Sequence, residues 1–223
     1  MKLHCHPVST SSRTVLLFCA EANIPIETVV VDLMTGEHAK EPYLSLNPSG
    51  QVPTLVDGDF VLTESSAILK YLADKADSPA YPKDLKQRAR VNERMDWINT
   101  NYYREWGYHL VYPQVFPHHL RTPDPAQTAT VEWGRVQSEK WLKVLDTKVI
   151  GSNKFLCGDT ITIADYFGAE ILAAADLIGQ TYTRFPNVDR WMKSMRALPG
   201  WKKVNEATDG FAASLRDKTF VTV

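Results

Sequence analysis

The chain has 223 residues, 44% hydrophobic and 23% charged, enough apolar side chain for one large core or two modest ones. Its formal net charge is −1, with 25 Lys and Arg against 26 Asp and Glu, so no basic excess exists to neutralise phosphates and no nucleic-acid partner is expected. Cys5, Cys19 and Cys157 form no C-x-x-C pair and are too scattered for a disulfide framework or a metal site, so no metal is expected.

The opening Met1–Pro7 lacks the apolar stretch of a secretory signal, and no run of eighteen apolar residues occurs, so a cytoplasmic protein with no membrane contact is expected. Lys2 to Cys5 reads as a first strand. From Ser12, apolar Val15, Phe18, Cys19 and Ala22 recur at helical spacing and mark one face of a helix. The β-branched run Glu27–Asp32 follows the breaker Pro25 and reads as a buried strand, completing a β-α-β unit. Thr54–Val56 and Phe60–Leu62 then flank Asp57-Gly58, a dipeptide suited to a tight hairpin. After Thr63, read as an N-cap, Ile68, Leu69 and Leu72 mark a closing helix.

The order βαβ-ββα within about eighty residues implies an α/β sandwich with a mixed sheet, and it is similar to the thioredoxin-type topology. Ser78–Lys83 contains two prolines and reads as a linker. Beyond it helical spacing dominates, as at Val91, Met95 and Ile98, and at Trp133, Val136, Trp141, Leu142 and Leu145. Thr162 and Asp165 form a variant capping box at the start of a largely apolar, central helix. The fold class is therefore α/β plus all-α: a thioredoxin-like domain over residues 1–77, a linker at 78–83 and an all-helical domain over 84–223.

Four motifs stand in order along this frame: Ser9-Thr10-Ser11-Ser12-Arg13, Asn47–Pro53, Glu64-Ser65, and Gly158–Asp165. In that order and spacing the chain resembles the cytosolic glutathione transferases over nearly its whole length, and is closest in appearance to the theta class and its bacterial relatives. The resemblance implies a homodimeric enzyme that binds glutathione as co-substrate and attacks a small electrophile such as an alkyl or aryl halide or an epoxide.

Such an enzyme must hold an anionic tripeptide and favour its thiolate, the nucleophile, over a thiol of pKa about 8.5. The resemblance assigns the hydroxyl that stabilises sulfur to Ser9, although the whole Ser9–Ser12 cluster also suits simple capping of the first helix. It places a cis bond at Val52-Pro53, the γ-glutamyl end of glutathione at Glu64 and Ser65, and the remaining contacts at His38, Gln51, Val52 and Pro53. Ala39 departs from the basic residue that follows this histidine in some relatives. For the electrophile, the aromatic-rich stretch after the linker offers Tyr103 and Trp106, with Arg104 placed to meet a departing anion.

Three rival functions are compatible with such a fold. A thiol-disulfide oxidoreductase would carry a cysteine where Ser9–Arg13 has none. A noncatalytic interaction module would not need Ser9 together with Glu64-Ser65. A glutathione-dependent isomerase resembling the zeta class would show a Ser-Ser-Cys run, which is absent.

Overall fold

The computed structural model describes residues 1–223. Strand β1 (Lys2–Cys5), helix α1 (Thr10–Glu21) and strand β2 (Glu27–Val30) form the β-α-β unit, with β1 and β2 parallel and Leu3 opposite Thr28. A parallel pair cannot be closed by a hairpin, and α1 supplies the crossover. A single 3₁₀ turn (Glu37–Ala39) and the short helix α2 (Tyr43–Leu46) lead to the hairpin β3 (Thr54–Asp57) and β4 (Phe60–Leu62), then α3 (Ser65–Lys75). The sheet order is β2-β1-β3-β4, with β3 antiparallel to β1 and to β4.

Helix α4 (Leu85–Trp97) runs without a break into a wider, π-helical stretch (Ile98–Val111) and ends in α5 (Tyr112–Val115). Then come a 3₁₀ turn (Pro117–His119), α6 (Asp124–Val144), α7 (Ile163–Ala173), α8 (Pro186–Arg196) and α9 (Trp201–Ala213). Helix α7 is buried along its whole length, the central position its uniformly apolar sequence requires. Its Asp165 carboxylate accepts the Thr162 backbone N–H at 2.8 Å and the Thr162 hydroxyl at 2.9 Å, so the capping motif forms as read.

α1 packs against both α3 and α7, and one core continues from Leu3 and Leu55 of the sheet to Trp106 and Trp191 of the helices. Between the halves lies a closed polar ring: Arg13 of α1 pairs with Glu170 of α7 at 3.0 Å and with Asn205 of α9, while Asn205 donates to Glu170 at 3.0 Å. All three side chains are buried.

Local readings needed correction at five places. Strand β2 is not buried but lies at the sheet edge, where Val30 is 60% exposed, and the strand ends at Val30, before Val31 and Asp32. Thr63 does not cap α3; Glu64 occupies that position with φ 64° and no capping side chain. The hairpin turn is Gly58-Asp59, because Asp57 pairs with Phe60 as a strand residue and only Gly58 needs positive φ. α1 begins at Thr10, two residues before Ser12, from which its apolar spacing is counted, because Ser9 caps it. Trp133 and Val136 of α6 face outward, since Gly134 and Ser138 make the inward face; a Cβ on Gly134 would meet the His109 backbone at 2.5 Å.

Candidate active site

The first turn of α1 brings four hydroxyls together, and hydrogen bonding separates them. Ser9 caps the helix by accepting the Ser12 N–H at 3.3 Å. Ser12 is fully buried and its oxygen accepts the His6 N–H. Thr10 is buried and accepts the Tyr112 hydroxyl proton at 2.9 Å. A phenol has one proton to give. With Tyr112's committed to Thr10, the 2.8 Å contact between Tyr112 and Tyr103 requires Tyr103 to donate. The 3.4 Å contact between Tyr103 and Ser11 then requires Ser11 to donate. Thr10 and Ser12 are buried, so of the two accessible hydroxyls, Ser9 and Ser11, Ser9 is left as the one whose own proton is free.

These residues open onto a cleft with two adjoining parts. The first, about 320 Å³, is lined by Ser9, Ser11, His38, Gln51 and Val52 on one side and by Tyr103, Tyr108, Tyr112, Phe116 and His119 on the other. The second, about 380 Å³, takes in Glu64, Ser65, Ser66 and Arg104. Ser11, Gln51, Tyr103 and Tyr108 line both parts.

The Val52-Pro53 bond is cis. Val52 lines the first part, whereas Pro53 is buried behind it. The Gln51 carbonyl is held by the Tyr43 hydroxyl at 2.5 Å and Asn47 Nδ2 at 2.7 Å, leaving the exposed side chain free. His38 lies on the 3₁₀ turn with a buried Nδ1 that has no partner. Glu64 adopts a positive φ that a non-glycine residue rarely takes, at the N-terminus of α3 beside Ser65.

Two expected electrophile residues are placed differently. Trp106 lines neither part: it is fully buried, stacks on Tyr102 and donates its indole N–H to the Ile171 carbonyl at 3.1 Å. Its direction is set by the core beneath α7. Arg104 reaches the second part rather than the first, and is tied to Glu105 at 2.9 Å. Glu105, itself buried, also binds His109 and the Trp133 indole. Phe116, His118 and His119 carry much of the first part's wall and were missed, because they lie in a short turn with no helical period to reveal it.

The first part carries no Lys, Arg, Asp or Glu. Burial, followed by repulsion from His118 and Arg121, lowers the His119 pKa to about 4, and burial likewise lowers that of His6. Burial raises Tyr112 to about 12, and the neighbouring Tyr103 together with burial raises Tyr108 further, so the phenols remain protonated donors. Burial also pushes the Cys5 and Cys157 thiols up to about 11 and Cys19 to about 12, far from the reactive thiolate range.

A thioredoxin-like sandwich is fused to a helical domain, and the cleft is lined by residues of both. The chain matches the family models "Glutathione S-transferase, N-terminal domain" over residues 8–75 and "Glutathione S-transferase, C-terminal domain" over residues 114–199. It is 35% identical to glutathione S-transferase theta-2 of Homo sapiens over 210 residues, covering 93% of this chain and 85% of that protein. It is 33% identical to glutathione S-transferase theta-1 of Bos taurus over 211 residues, covering 93% and 87%. Among solved structures, human glutathione transferase theta-2 in complex with glutathione superposes with TM-score 0.84 at 31% identity, covering 99% of this chain and 92% of that one. The chain is a theta-like member of the cytosolic glutathione transferase superfamily, and a glutathione transferase enzyme.

Proposed function

We propose that this enzyme conjugates glutathione to a small electrophile, an alkyl or aryl halide or an epoxide, with Ser9 donating its hydroxyl proton to the glutathione sulfur. The observation that carries this reading is the accounting of the four hydroxyls: Ser9 lines the cleft, sits at the positive end of α1 and keeps an uncommitted proton. The serine stabilises the thiolate and forms no covalent bond.

The γ-glutamyl end would lie in the second part of the cleft. There Glu64 meets its ammonium group, and the Ser65 and Ser66 backbone at the start of α3 receives its carboxylate. Gln51 and Val52 hold the cysteinyl unit, with Pro53 fixing their backbone, and His38, on the same wall of the first part, suits the glycyl carboxylate. The aromatic first part receives the electrophile, with Tyr103 at its floor. In the same reading residues 1–77 bind glutathione, 78–83 link the halves and 84–223 supply the electrophile wall. Two copies pair as a homodimer, in the cytoplasm, in a detoxifying role; the outward-facing Phe60, Val61, Trp133 and Val136 give such pairing apolar surface.

The test is thiolate absorbance of bound glutathione against pH, paired with conjugate formation on a panel of halides and epoxides. A bound thiol pKa well below that of free glutathione and a conjugate product are expected. A bound pKa equal to the free value, or isomerisation without glutathione consumption, would refute the reading.

A further inference from the structure

A tight reversal carries the chain from β1 into α1 and delivers Ser9, and a histidine side chain closes it. The Ser9 N–H bonds to the His6 carbonyl at 3.0 Å, with Pro7 at the second position, where its fixed φ suits such a turn. Two further bonds complete a ring through three residues: the His6 N–H donates to Ser12 Oγ at 3.3 Å, and the Ser12 N–H donates to Ser9 Oγ at 3.3 Å. Pro7 has no N–H, so Val8 carries the one amide proton between His6 and Ser9. It goes to the His6 ring, at Nδ1, over 3.3 Å. The imidazole thus makes the bond that an Asn or Asp side chain commonly makes to the amide two residues on.

An imidazole accepts at Nδ1 only while it is neutral with its proton on Nε2. His6 is half-buried on the wall of the first part of the cleft, and burial, against the opposing charge of Asp32, lowers its pKa, so the accepting form is the resting one. Nothing else in the protein accepts the Val8 N–H. Without the ring the reversal loses a bond at the residue adjoining Ser9. A serine hydroxyl has three staggered directions open to it, and a fixed backbone is what keeps Oγ against the Ser12 N–H with its own proton turned to the cleft. Resting on the function proposed above, we propose that His6 is a positioning residue for the chemistry at sulfur: its Nδ1 holds Val8, Val8 fixes the backbone of Ser9, and Ser9 touches the sulfur.

The experiment follows thiolate absorbance of bound glutathione against pH in wild type, His6→Leu, His6→Asn, Ser9→Ala and the His6→Leu, Ser9→Ala double variant, with glutathione saturating. Leucine removes the acceptor, and asparagine restores it, because its Oδ1 stands as many bonds from the backbone as Nδ1 does. Loss of one hydrogen bond from the turn predicts about 3-fold less thiolate in His6→Leu, a rise of about 0.5 pKa unit, with His6→Asn within about 0.2 unit of wild type. Added to Ser9→Ala, His6→Leu should raise the pKa no further. An unchanged pKa in His6→Leu overturns the inference. Equal rises with leucine and asparagine would mean that the ring acts by bulk or through Nε2, and a further rise on the Ser9→Ala background would mean that it acts on sulfur directly; either also overturns it. His6→Ala, which leaves space and no acceptor, supplies the same contrast with His6→Asn if the leucine variant does not fold. If the wild-type pKa is depressed and the His6 variants match it, His6 is wrong and the Ser9 reading stands; if the wild-type pKa is not depressed, the underlying reading itself fails.

Discussion

The Tyr103 hydroxyl stands 3.4 Å from Ser11 Oγ and accepts a hydrogen bond from it, because Tyr103 donates to Tyr112 and Tyr112 donates to Thr10. This arrangement turns a cluster of equivalent-looking hydroxyls into one free donor, Ser9, and three that are committed or buried. Ser9→Ala should raise the pKa of bound glutathione by about one unit or more, each unit being about 1.4 kcal/mol of lost thiolate preference. Ser11→Ala should leave it near the wild-type value. Thiolate absorbance titrations of the two variants decide the matter, and a shift in Ser11→Ala alone would move the role to Ser11.

Glu64 adopts its uncommon backbone conformation at the mouth of the second part of the cleft, a position worth strain of about 1–3 kcal/mol only if the rest of the site uses it. Glu64→Gln keeps the size and hydrogen-bonding capacity but removes the charge proposed to pair with the glutathione ammonium. Charge-assisted hydrogen bonds contribute about 1.5–3 kcal/mol, so glutathione affinity should fall roughly 10-fold or more with little change in melting temperature. Calorimetric titration measures it, and an unchanged Kd would remove Glu64 from the site.

What the sequence disclosed were features whose physics is local. The Thr162-Asp165 cap needs only three residues' spacing, and the strand runs around Gly58 need only alternation and a turn residue, so these could be read directly. β2 misled because its apolar run says nothing about whether a neighbouring strand or solvent covers it. Trp106 misled for a related reason. Its neighbour Tyr103 reaches the cleft while Trp106 points into the core, and a π-helical stretch rotates side chains away from the positions that a 3.6-residue period assigns. The proton accounting at Ser9 depended on Tyr103 and Tyr112, about a hundred residues away in the chain, and no local pattern encodes it.

His119 links the wall of the cleft to acid stability. Its pKa is about 4 in the folded protein against 6.5 as the ordinary value, lowered by burial first. Between those values the unfolded chain binds more protons, so stability from this group is fully present above about pH 6.5 and is lost as pH falls through 4. Urea unfolding of wild type and His119→Asn between pH 7 and pH 4 should show the wild type losing more stability on acidification than the variant. Parallel losses would show that His119 is not depressed.

Arg13 and Glu170 form an ion pair with no solvent to share its charge: their side chains are 1% and 0% exposed, and Asn205 closes the ring. Burial, first, raises the Glu170 pKa, and the Arg13 guanidinium opposes that rise. Removing Arg13 as Met would leave a buried carboxyl with only Asn205 beside it, a change that costs about 3–5 kcal/mol when one partner of a buried pair is lost. Removing both, as Arg13→Met with Glu170→Met, substitutes apolar contacts for the charges and should recover a large part of that loss, since well-packed hydrophobic replacements of buried pairs are often neutral. Denaturant melts of the two single variants and the double variant measure the coupling. Because Arg13 lies one turn beyond Ser9 on α1, with its N–H bonded to the Ser9 carbonyl at 3.0 Å, the single variant should also blunt the thiolate shift, and the double variant should restore it if packing rather than charge holds the serine in place. A double variant that regains stability but not the shift would instead show that the buried guanidinium's field, and not the position of the helix, acts on the sulfur.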